Sequence, residues 1–386
     1  MNETETIKTF SECGINEQNI AALSAIGIFS PTAVQARVIP HILADENTIF
    51  QSETGTGKTF AYLLPLLQKI DEDNKSLQAI ILSPTYELAS QINAQIKKVS
   101  ALKSILCIGG TPIRRQIEAL KEKPYIIVGN VARILELIHL KKIKTNNLRF
   151  IVLDEVDRVI AHETFDFTKE FFSLTNNEDI QLIACSATVK EKTVKTVETL
   201  FKKSLHFEKL PQEDILKNHI EHWALFAERR EKIDVLRSLI NAENTAGNLK
   251  KMVIFTAKLD QVENIAQRLS YKKINCVALH AKMGKMERKN AIDSFRSGKA
   301  KILVTSDLTA RGLDIEDITH VVQMDISDDE TFFIHRAGRT SRQGKKGINI
   351  VIGDEREMQI YSALEKKLHI TVYPKMLYKG KVEKCS

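Results

Sequence analysis

The sequence predicts two α/β domains, each built on a mainly parallel sheet with helices on both faces. Short apolar runs alternate with longer helix-like segments, which is the pattern of βαβ units. The same alternation starts again after a polar stretch near the middle of the chain. The length of 386 residues exceeds what one hydrophobic core usually supports, so two domains are expected.

Six strands are predicted in the first half of the chain and five in the second. The first six are residues 47–50, 79–82, 105–107, 125–128, 150–153 and 182–184. The other five are residues 252–255, 276–279, 302–305, 321–322 and 348–352. The polar stretch from Glu208 to Asp214 separates the two sets. The first domain is therefore expected at residues 1–208 and the second at 209–386, ending in a modestly basic tail that contains Lys375, Lys379, Lys381 and Lys384.

Composition narrows the class of protein. The net charge of +7 and pI near 8.9 favour polyanionic partners without proving them. The five cysteines are scattered and never spaced Cys-x-x-Cys, which argues against a disulfide framework and a zinc site. The apolar runs are too short to span a bilayer, and the acidic N-terminus is not a secretory signal. We therefore expect a cytoplasmic protein without a membrane partner.

A phosphate-binding loop is predicted at residues 52–59, between the first predicted strand and an apolar helical segment. Gly55 and Gly57 let backbone N–H groups close around phosphates at a helix N-terminus. Lys58 can reach the β- and γ-phosphates, and the Thr59 hydroxyl can ligate Mg²⁺. The generic pattern has glycine in place of the first serine, but the strand before and the helix after support the assignment.

Three carboxylates follow the predicted strand 150–153 directly. Asp154 is the candidate Mg²⁺-side carboxylate, and Glu155 is the candidate to orient or deprotonate the attacking water. An exposed acidic turn is the alternative for this segment alone, but the phosphate loop roughly 100 residues earlier favours the metal-handling interpretation. The next predicted strand ends in Ser186-Ala187-Thr188, whose two hydroxyls are expected near the acidic strand end.

Two segments of the second domain allow two interpretations each. Residues 335–344 carry arginines at positions 336, 339 and 342, which on a helix could approach one anion or form a solvated basic face. The hydroxyl-rich segment 306–315 follows a predicted strand. It could hold a phosphodiester, or it could be an ordinary turn capped by Ser306 or Asp307.

Taken together, these motifs resemble those of the DEAD-box ATP-dependent RNA helicases. The shared elements are the phosphate loop, Asp-Glu-x-Asp, Ser-Ala-Thr, Ala-Arg-Gly-Leu-Asp and His-Arg-x-Gly-Arg-Thr-x-Arg, in this order. The resemblance extends from Phe10 to about residue 370. It implies tandem RecA-like domains and an RNA-stimulated ATPase that converts ATP to ADP and phosphate.

The resemblance also implies an ATP site with contributions from both domains. Gln35 matches the glutamine that recognises adenine, Asp314 matches a ribose contact, and Mg²⁺ is implied at Thr59 and Asp154. The residues implied to bind ATP are Phe10, Gln35, Thr54, Gly55, Thr56, Gly57, Lys58, Thr59, Asp314, Arg339 and Arg342. Those implied in hydrolysis are Lys58, Asp154, Glu155, Arg339 and Arg342, the two arginines reaching the γ-phosphate.

Further matches concern coupling between the domains and RNA binding. Ser186, Thr188 and His335 match residues that couple hydrolysis to unwinding or join the domains. The matches to the RNA-backbone face are Pro84, Thr85, Gly109, Gly110, Arg133, Ser306 and Gly312. Since backbone contacts carry no base information, strong sequence specificity is not expected. We also expect a monomer.

The chain departs from the family pattern mainly on the implied RNA face of the first domain. Tyr86 replaces an arginine, and Asn130-Val131-Ala132 replaces Thr-Pro-Gly, which removes a hydroxyl and a proline turn. The other departures are Ile28, Val156, Ala281, Ala337 and Ser341. The resulting hypothesis is weaker or differently shaped RNA binding, while the alternative is that Tyr86 stacks on a base or sugar and compensates.

Three functions remain open from the sequence. The leading one is an ATP-dependent RNA helicase or remodeller that separates short duplexes locally. The second is an ATP-dependent RNA clamp or assembly scaffold with weak unwinding, which the altered face would favour. A DNA translocase is disfavoured by Gln35 and by the Asp-Glu-x-Asp form of the acidic motif.

Overall fold

The computed structural model describes residues 9–52, 56–175, 178–209, 215–306, 315, 317–341 and 346–385. Contacts between residues divide the chain into two compact units, Met1–Pro211 (unit 1) and Gln212–Ser386 (unit 2). None of the helices within the described ranges is long and apolar enough to cross a membrane.

Unit 1 contains a seven-stranded sheet in the order β3-β4-β2-β5-β6-β1-β7. All of its neighbouring strands run parallel, as predicted. Its strands are β1 Thr48–Gln51, β2 Ala79–Leu82, β3 Ser104–Cys107, β4 Ile126–Gly129, β5 Phe150–Asp154, β6 Gln181–Ser186 and β7 His206–Lys209. Its helices are α1 Glu17–Ala25, α2 Ala33–Leu43, α3 Lys58–Lys69, α4 Tyr86–Val99, α5 Ile113–Leu120, α6 Val131–His139, α7 Val156–Val159, α8 Phe165–Thr175 and α9 Glu191–Phe201.

Helices cover both faces of this sheet because successive strand side chains point to opposite sides. Ile81 of β2 packs in one buried cluster with Val38 of α2 and Leu63 of α3. Its neighbour Ile80 packs in a second cluster with Phe171 of α8 and Val197 of α9. The sheet is therefore buried on both faces, which explains why its central strands are continuous apolar runs.

Unit 2 contains an eight-stranded sheet in the order β10-β11-β9-β12-β13-β8-β14-β15. Only the β14 and β15 pair is antiparallel among the strand pairs that the structure describes. Its strands are β8 Ile220–Phe226, β9 Lys251–Phe255, β10 Cys276–Leu279, β11 Ile302–Thr305, β12 Ile318–Gln323, β13 Gly347–Gly353, β14 Val372–Tyr378 and β15 Lys381–Lys384. Its helices are α10 Ile215–Asn218, α11 Lys232–Thr245, α12 Leu259–Tyr271, α13 Lys285–Arg296, α14 Glu330–Ala337 and α15 Glu355–Leu368.

Both faces of the unit 2 sheet are also covered. Ile254 of β9 packs in a cluster with Leu236 of α11, whereas the next-door Val253 packs in another with Phe295 of α13. The predicted fold class, a mainly parallel sheet between helical layers in each domain, is confirmed.

Four strands were not predicted from the sequence. β7 lies at a sheet edge and is only half-buried or exposed, so it carries polar residues where a buried strand would be apolar. β8 contains the polar residues Glu221 and His222 and two exposed positions, so it does not form a continuous apolar run. The basic segment at the end of the chain is not a tail, because β14 and β15 form a hairpin in which Lys375 pairs with Lys384.

Candidate functional site

The functional motifs of unit 1 meet at one edge of its sheet. β5, β6 and β1 are neighbours, and their carboxyl ends carry Asp154, Ser186 and the phosphate loop respectively. Parallel strands direct the segments that follow them to a common edge, which is where ligands bind in open α/β sheets. Residues far apart in sequence are thereby brought together.

The phosphate loop leads into α3 through Gly57, which adopts φ +92°. A Cβ at this position would lie 2.5 Å from Nε2 of Gln35, so both the backbone angle and the close approach require glycine. Nε2 of Gln35 donates a 3.1 Å hydrogen bond to the Gly57 carbonyl, and its Oε1 accepts one of 2.9 Å from the Thr32 backbone N–H. The Gln35 side chain therefore links the N-terminus of α2 to the phosphate loop through two hydrogen bonds.

The first residue of the loop, Ser52, joins it to the neighbouring strand β6. The Ser52 backbone N–H donates to the carbonyl of Ser186 at 3.0 Å, and its own carbonyl accepts a 2.6 Å hydrogen bond from Nζ of Lys58. Its hydroxyl lies 2.5 Å from that of Thr56. Two predicted loop residues, Thr54 and Gly55, lie outside the described part of the chain.

The other predicted adenine-site residue, Phe10, is buried in the core of unit 1. It belongs to the same hydrophobic cluster as Val34 and Val38 of α2. Ile28, which replaces a family aromatic, is partly buried against that cluster. Phe10 therefore shares a hydrophobic core cluster with the helix that carries Gln35.

Asp154 is 4% exposed and accepts three hydrogen bonds. The Tyr62 hydroxyl donates to Oδ2 at 2.8 Å, the Glu155 backbone N–H donates to Oδ1 at 2.9 Å, and the Cys185 thiol lies 3.3 Å from Oδ1. Burial, reinforced by the Asp154 charge, raises the pKa of Tyr62 and of the Cys185 thiol well above their ordinary values. Both groups therefore remain protonated donors to the carboxylate.

Tyr62 is a residue of the candidate site that the sequence did not reveal. It lies in α3, one turn after Lys58, and is completely buried. In the sequence Tyr62 is indistinguishable from the apolar residues around it in a buried helix. Only the fold shows that its hydroxyl donates a hydrogen bond to Asp154.

Glu155 adopts a left-handed backbone conformation, φ 53° and ψ 55°, immediately before α7. Non-glycine residues adopt these angles infrequently, although nine others among the described residues of this chain also have a positive φ. The side chain is 9% exposed and therefore buried beside Asp154. The left-handed conformation at Glu155 separates the end of β5 from the start of α7.

The acidic motif and the Ser-Ala-Thr motif are directly connected. The Ser186 hydroxyl donates to Oδ1 of Asp157, and the Thr188 backbone N–H donates to the Ser186 hydroxyl at 3.4 Å. The expected proximity to the acidic strand end is therefore observed for the Ser186 hydroxyl, whereas Thr188 contacts Ser186 through its backbone N–H. A displacement of either motif would therefore be transmitted to the other through this hydrogen bond.

The residues matched to RNA binding occupy the other half of the same sheet edge. β3, β4 and β2 are adjacent, and they are followed by Gly109-Gly110, by residues 130–133 and by Pro84-Thr85 respectively. The Thr85 hydroxyl caps α4 by accepting from the Leu88 backbone N–H at 3.2 Å. The exposed Tyr86 is the first residue of that helix.

Arg133 and Asn130 hold this half of the edge in place. Nη1 of Arg133 donates to the Thr111 carbonyl at 2.9 Å, and its Nε lies 2.9 Å from Oε2 of Glu136. Oδ1 of Asn130 accepts from the Arg133 backbone N–H at 3.2 Å and caps α6. The hydroxyl expected to be lost at position 130 is therefore replaced, as a helix cap, by an amide oxygen.

In unit 2 the predicted arginine cluster does not form one helical face. α14 ends at Ala337, so Arg339 lies beyond the helix. Arg336 is 2% exposed and turned inward. Its Nη1 donates to the Asp325 backbone carbonyl at 2.7 Å, and its Nη2 lies 3.1 Å from Oδ1 of Asp325. Both earlier interpretations are therefore wrong for Arg336, which is a buried structural residue.

Arg339 and His335 contact each other within unit 2. Nε of Arg339 donates to the His335 carbonyl at 3.1 Å, and both residues are buried. Ser306 directly follows β11 at the carboxyl end of the strand. The other matched residues of this unit, Gly312, Asp314 and Arg342, lie outside the described residues.

The fold and the site are those of a phosphate-loop enzyme with an acidic strand end beside the loop. The DEAD/DEAH box helicase profile matches residues 32–197, and the helicase conserved C-terminal domain profile matches residues 231–344. Together these matches span both units, and they correspond to the two predicted motif regions.

Relatives and solved structures agree with the family profiles. The chain is 36% identical to the DEAD-box ATP-dependent RNA helicase CshC of Bacillus cereus, covering 90% of this chain and 88% of the relative. It is 33% identical to the probable ATP-dependent RNA helicase YfmL of Bacillus subtilis, covering 93% and 94%. S. cerevisiae Dbp5 bound to RNA and ADP BeF3 is similar with a TM-score of 0.85, 26% identity and coverage of 95% and 96%.

The chain belongs to the DEAD-box ATP-dependent RNA helicase family. The resemblance drawn from its motifs, the tandem RecA-like fold and the predicted enzyme class are confirmed.

Proposed function

We propose that the protein hydrolyses ATP in response to RNA and uses that cycle to separate short RNA duplexes or remodel RNA. The observation that supports this most directly is the division of one sheet edge into two adjoining halves. The nucleotide motifs follow β1, β6 and β5, the RNA-matched segments follow β2, β4 and β3, and β2 is paired with β5. The two halves therefore adjoin at the β2–β5 pair, so a movement of the nucleotide motifs can pass directly to the neighbouring RNA-matched strand.

ATP and Mg²⁺ fit the residues present in unit 1. The approach of Gln35 to Gly57 leaves no room for a Cβ, so the loop can present backbone to phosphate. Asp154 is a buried carboxylate held by donors, and carboxylate and hydroxyl oxygens are ligands that Mg²⁺ prefers. Bound Mg²⁺ would neutralise phosphate charge, with Asp154 and the Thr59 hydroxyl as its protein ligands.

Each remaining residue then has a proposed role in the reaction. Lys58 binds the β- and γ-phosphates, Gln35 recognises adenine, and Glu155 orients or deprotonates the attacking water. Arg339 and Arg342 neutralise charge that develops on the γ-phosphate. Additional proposed ATP contacts are Phe10, Thr54, Gly55, Thr56, Gly57 and Asp314.

The proposed link from hydrolysis to RNA runs through the hydrogen-bonded motifs of unit 1. Ser186 bonds both Asp157 and the phosphate loop, so a change at the nucleotide reaches β6 directly. We assign coupling to Ser186, Thr188 and His335. We assign RNA-backbone contacts to Pro84, Thr85, Gly109, Gly110, Arg133, Ser306 and Gly312, without strong sequence specificity.

A strand-displacement assay tests this function. A short RNA duplex with a single-stranded extension is mixed with the protein and ATP, and Glu155→Gln serves as the matched hydrolysis-deficient control. The proposal expects release of the short strand by the wild type and slow release by the variant. RNA binding and RNA-stimulated hydrolysis without release would instead support the clamp or scaffold.

We further propose a monomer in the cytoplasm, in keeping with the five free cysteines.

A further inference from the structure

Two stacked histidines and a carboxylate form a cluster on unit 1, away from the nucleotide motifs. The rings of His41 and His206 are stacked with centroids 4.0 Å apart, and Nδ1 of His41 lies 2.8 Å from Oε2 of Glu46. One potential ligand atom from each of the three residues lies within 4.8 Å of the other two. All three side chains are at least partly accessible to solvent. A metal ion could therefore enter without unfolding the unit.

The backbone around the cluster is fixed by hydrogen bonds. The Glu46 backbone N–H donates to the His41 carbonyl at 3.1 Å, and the Glu46 carbonyl accepts from Nε2 of Gln181 at 2.8 Å. The His206 backbone N–H donates to the Asn47 carbonyl at 2.7 Å, beside its pairing partner Thr48. The three side chains thus project from the end of α2, the α2-β1 connection and β7, which are already joined.

A second carboxylate, that of Glu208, contacts the imidazole ring of His206. Oε2 of Glu208 lies 3.4 Å from Nε2 of His206, and Oε1 of Glu208 accepts a 3.1 Å hydrogen bond from Arg37. A carboxylate that contacts a ligating imidazole orients the ring and increases its basicity, as in other histidine metal sites. Glu208 can thus support the site from outside the ligand set or complete it.

We propose that His41, Glu46 and His206 bind a divalent transition metal ion of the zinc type. Two imidazoles and one carboxylate suit Zn²⁺, whereas Mg²⁺ prefers oxygen ligands only. No thiolate takes part, so this site does not need the Cys-x-x-Cys spacing that the sequence lacks.

The site is separate from the nucleotide's Mg²⁺ position. His206 pairs with Thr48, the first residue of β1, whereas the phosphate loop follows Gln51, the last residue. The two sites therefore lie at opposite ends of β1, roughly 10 Å apart along the strand direction at about 3.3 Å per residue. Metal binding would clamp the edge strand β7 to α2 and stabilise unit 1.

The test is a Zn²⁺ titration of the full chain by calorimetry after chelator treatment, in a Cys385→Ser background because Cys385 is an exposed thiol. His206→Gln removes one ligand. His139→Gln is the matched control, since His139 pairs with Glu170 at 2.9 Å as a surface histidine outside any such cluster among the described residues. Glu46→Gln is a second ligand variant in case His206→Gln folds poorly.

The proposal expects one Zn²⁺ per chain, lost or weakened at least about tenfold in His206→Gln and in Glu46→Gln but not in His139→Gln. It also expects Zn²⁺ to raise the Tm of the parent chain and of His139→Gln only. Absence of Zn²⁺ binding in the parent would overturn the proposal, as would unchanged affinity in both ligand variants. Neither readout depends on ATPase activity, so this test is independent of the proposed function.

Discussion

The hydroxyl of Tyr62 donates a 2.8 Å hydrogen bond to Oδ2 of Asp154. Tyr62 lies one helical turn after Lys58, the first residue of α3. One helix therefore positions both Lys58, the proposed phosphate-binding residue, and a donor to Asp154, the proposed Mg²⁺ ligand. This contact ties the end of β5 to the helix that follows β1.

Replacing Tyr62 by phenylalanine should weaken both the fold and the nucleotide site. A buried hydrogen bond to a charged group contributes about 1.5–3 kcal/mol, so the free energy of unfolding of unit 1 should fall by about that amount. The affinity for Mg²⁺-ATP should fall as well, because Asp154 loses the donor that orients it. Calorimetric unfolding and ATP titration at fixed Mg²⁺ measure the two effects.

Tyr125→Phe is the matched control for this change. The Tyr125 hydroxyl donates to the Glu72 carbonyl at 2.9 Å, away from the nucleotide motifs. This variant should lose some stability but keep its ATP affinity. Equal ATP affinity in Tyr62→Phe and wild type would show that the Tyr62 contact is only structural.

Glu155→Gln should separate ATP binding from ATP hydrolysis. The amide keeps the shape of the side chain but cannot accept a proton, and loss of a general base typically costs about 10²–10⁴-fold in rate. ATP should still bind, whereas Lys58→Ala should lose binding or turnover. Equilibrium ATP binding and single-turnover hydrolysis are the measurements, and a normal hydrolysis rate in Glu155→Gln would remove Glu155 from the mechanism.

Restoring the family arginine at position 86 should tighten the response to RNA. Tyr86 is the exposed first residue of α4, beside the cap residue Thr85 on the RNA-matched half of the edge. A new charge-assisted phosphate contact there, worth about 1 kcal/mol, should lower the RNA concentration for half-maximal ATPase by roughly fivefold.

Tyr271→Arg adds the same charge at an exposed tyrosine of unit 2 and controls for nonspecific attraction of RNA. It should shift the RNA response less than Tyr86→Arg does. If both variants behave like the wild type, Tyr86 already compensates for the missing arginine or the position does not meet RNA.

Unit 2 should lose stability as the pH falls from about 6.5 towards 4. Burial lowers the pKa of His222 from 6.5 to about 4, so the folded state resists its protonation while the unfolded state does not. Its Nε2 is 2.8 Å from the Leu216 carbonyl and its Nδ1 is 3.2 Å from Nδ2 of Asn349, an arrangement that suits a neutral ring. The loss should be about 1.4 kcal/mol per pH unit within this window.

The chain's single tryptophan, Trp223, lies buried in unit 2 and reports on the unfolding of that unit. Denaturant unfolding followed by its fluorescence at pH 7.0 and pH 5.5 measures the effect. His222→Gln should be less stable at neutral pH but show a flatter pH dependence. An equally steep dependence in the variant would assign the acid sensitivity to other groups.

The sequence predicted the buried strands well because burial on both faces produces continuous apolar runs. Residues 79–82, 276–279 and 302–305 were predicted with the bounds that the structure has. β7 and the β14-β15 hairpin were missed because edge strands and hairpins at the surface carry polar residues. Their pairing partners, not their composition, make them strands.

Residues of the candidate site were predicted where a sequence motif indicates their chemistry. Residues whose role depends on tertiary contacts were missed. Lys58, Asp154 and Ser186 follow strands, and adjacent parallel strands bring them together. Arg336 shows the opposite case, because its ion pair with Asp325 cannot be inferred from arginine spacing. His41 and His206 likewise meet only because β7 pairs with β1.

The central claim is that RNA controls ATP hydrolysis by this chain, and the ATPase rate with and without RNA tests it most directly. Single-stranded RNA and DNA of the same sequence are compared at saturating Mg²⁺-ATP. The account predicts a higher ATPase rate with RNA than without it and little change with DNA. An equal rate with and without RNA, or stimulation by DNA alone, would contradict it.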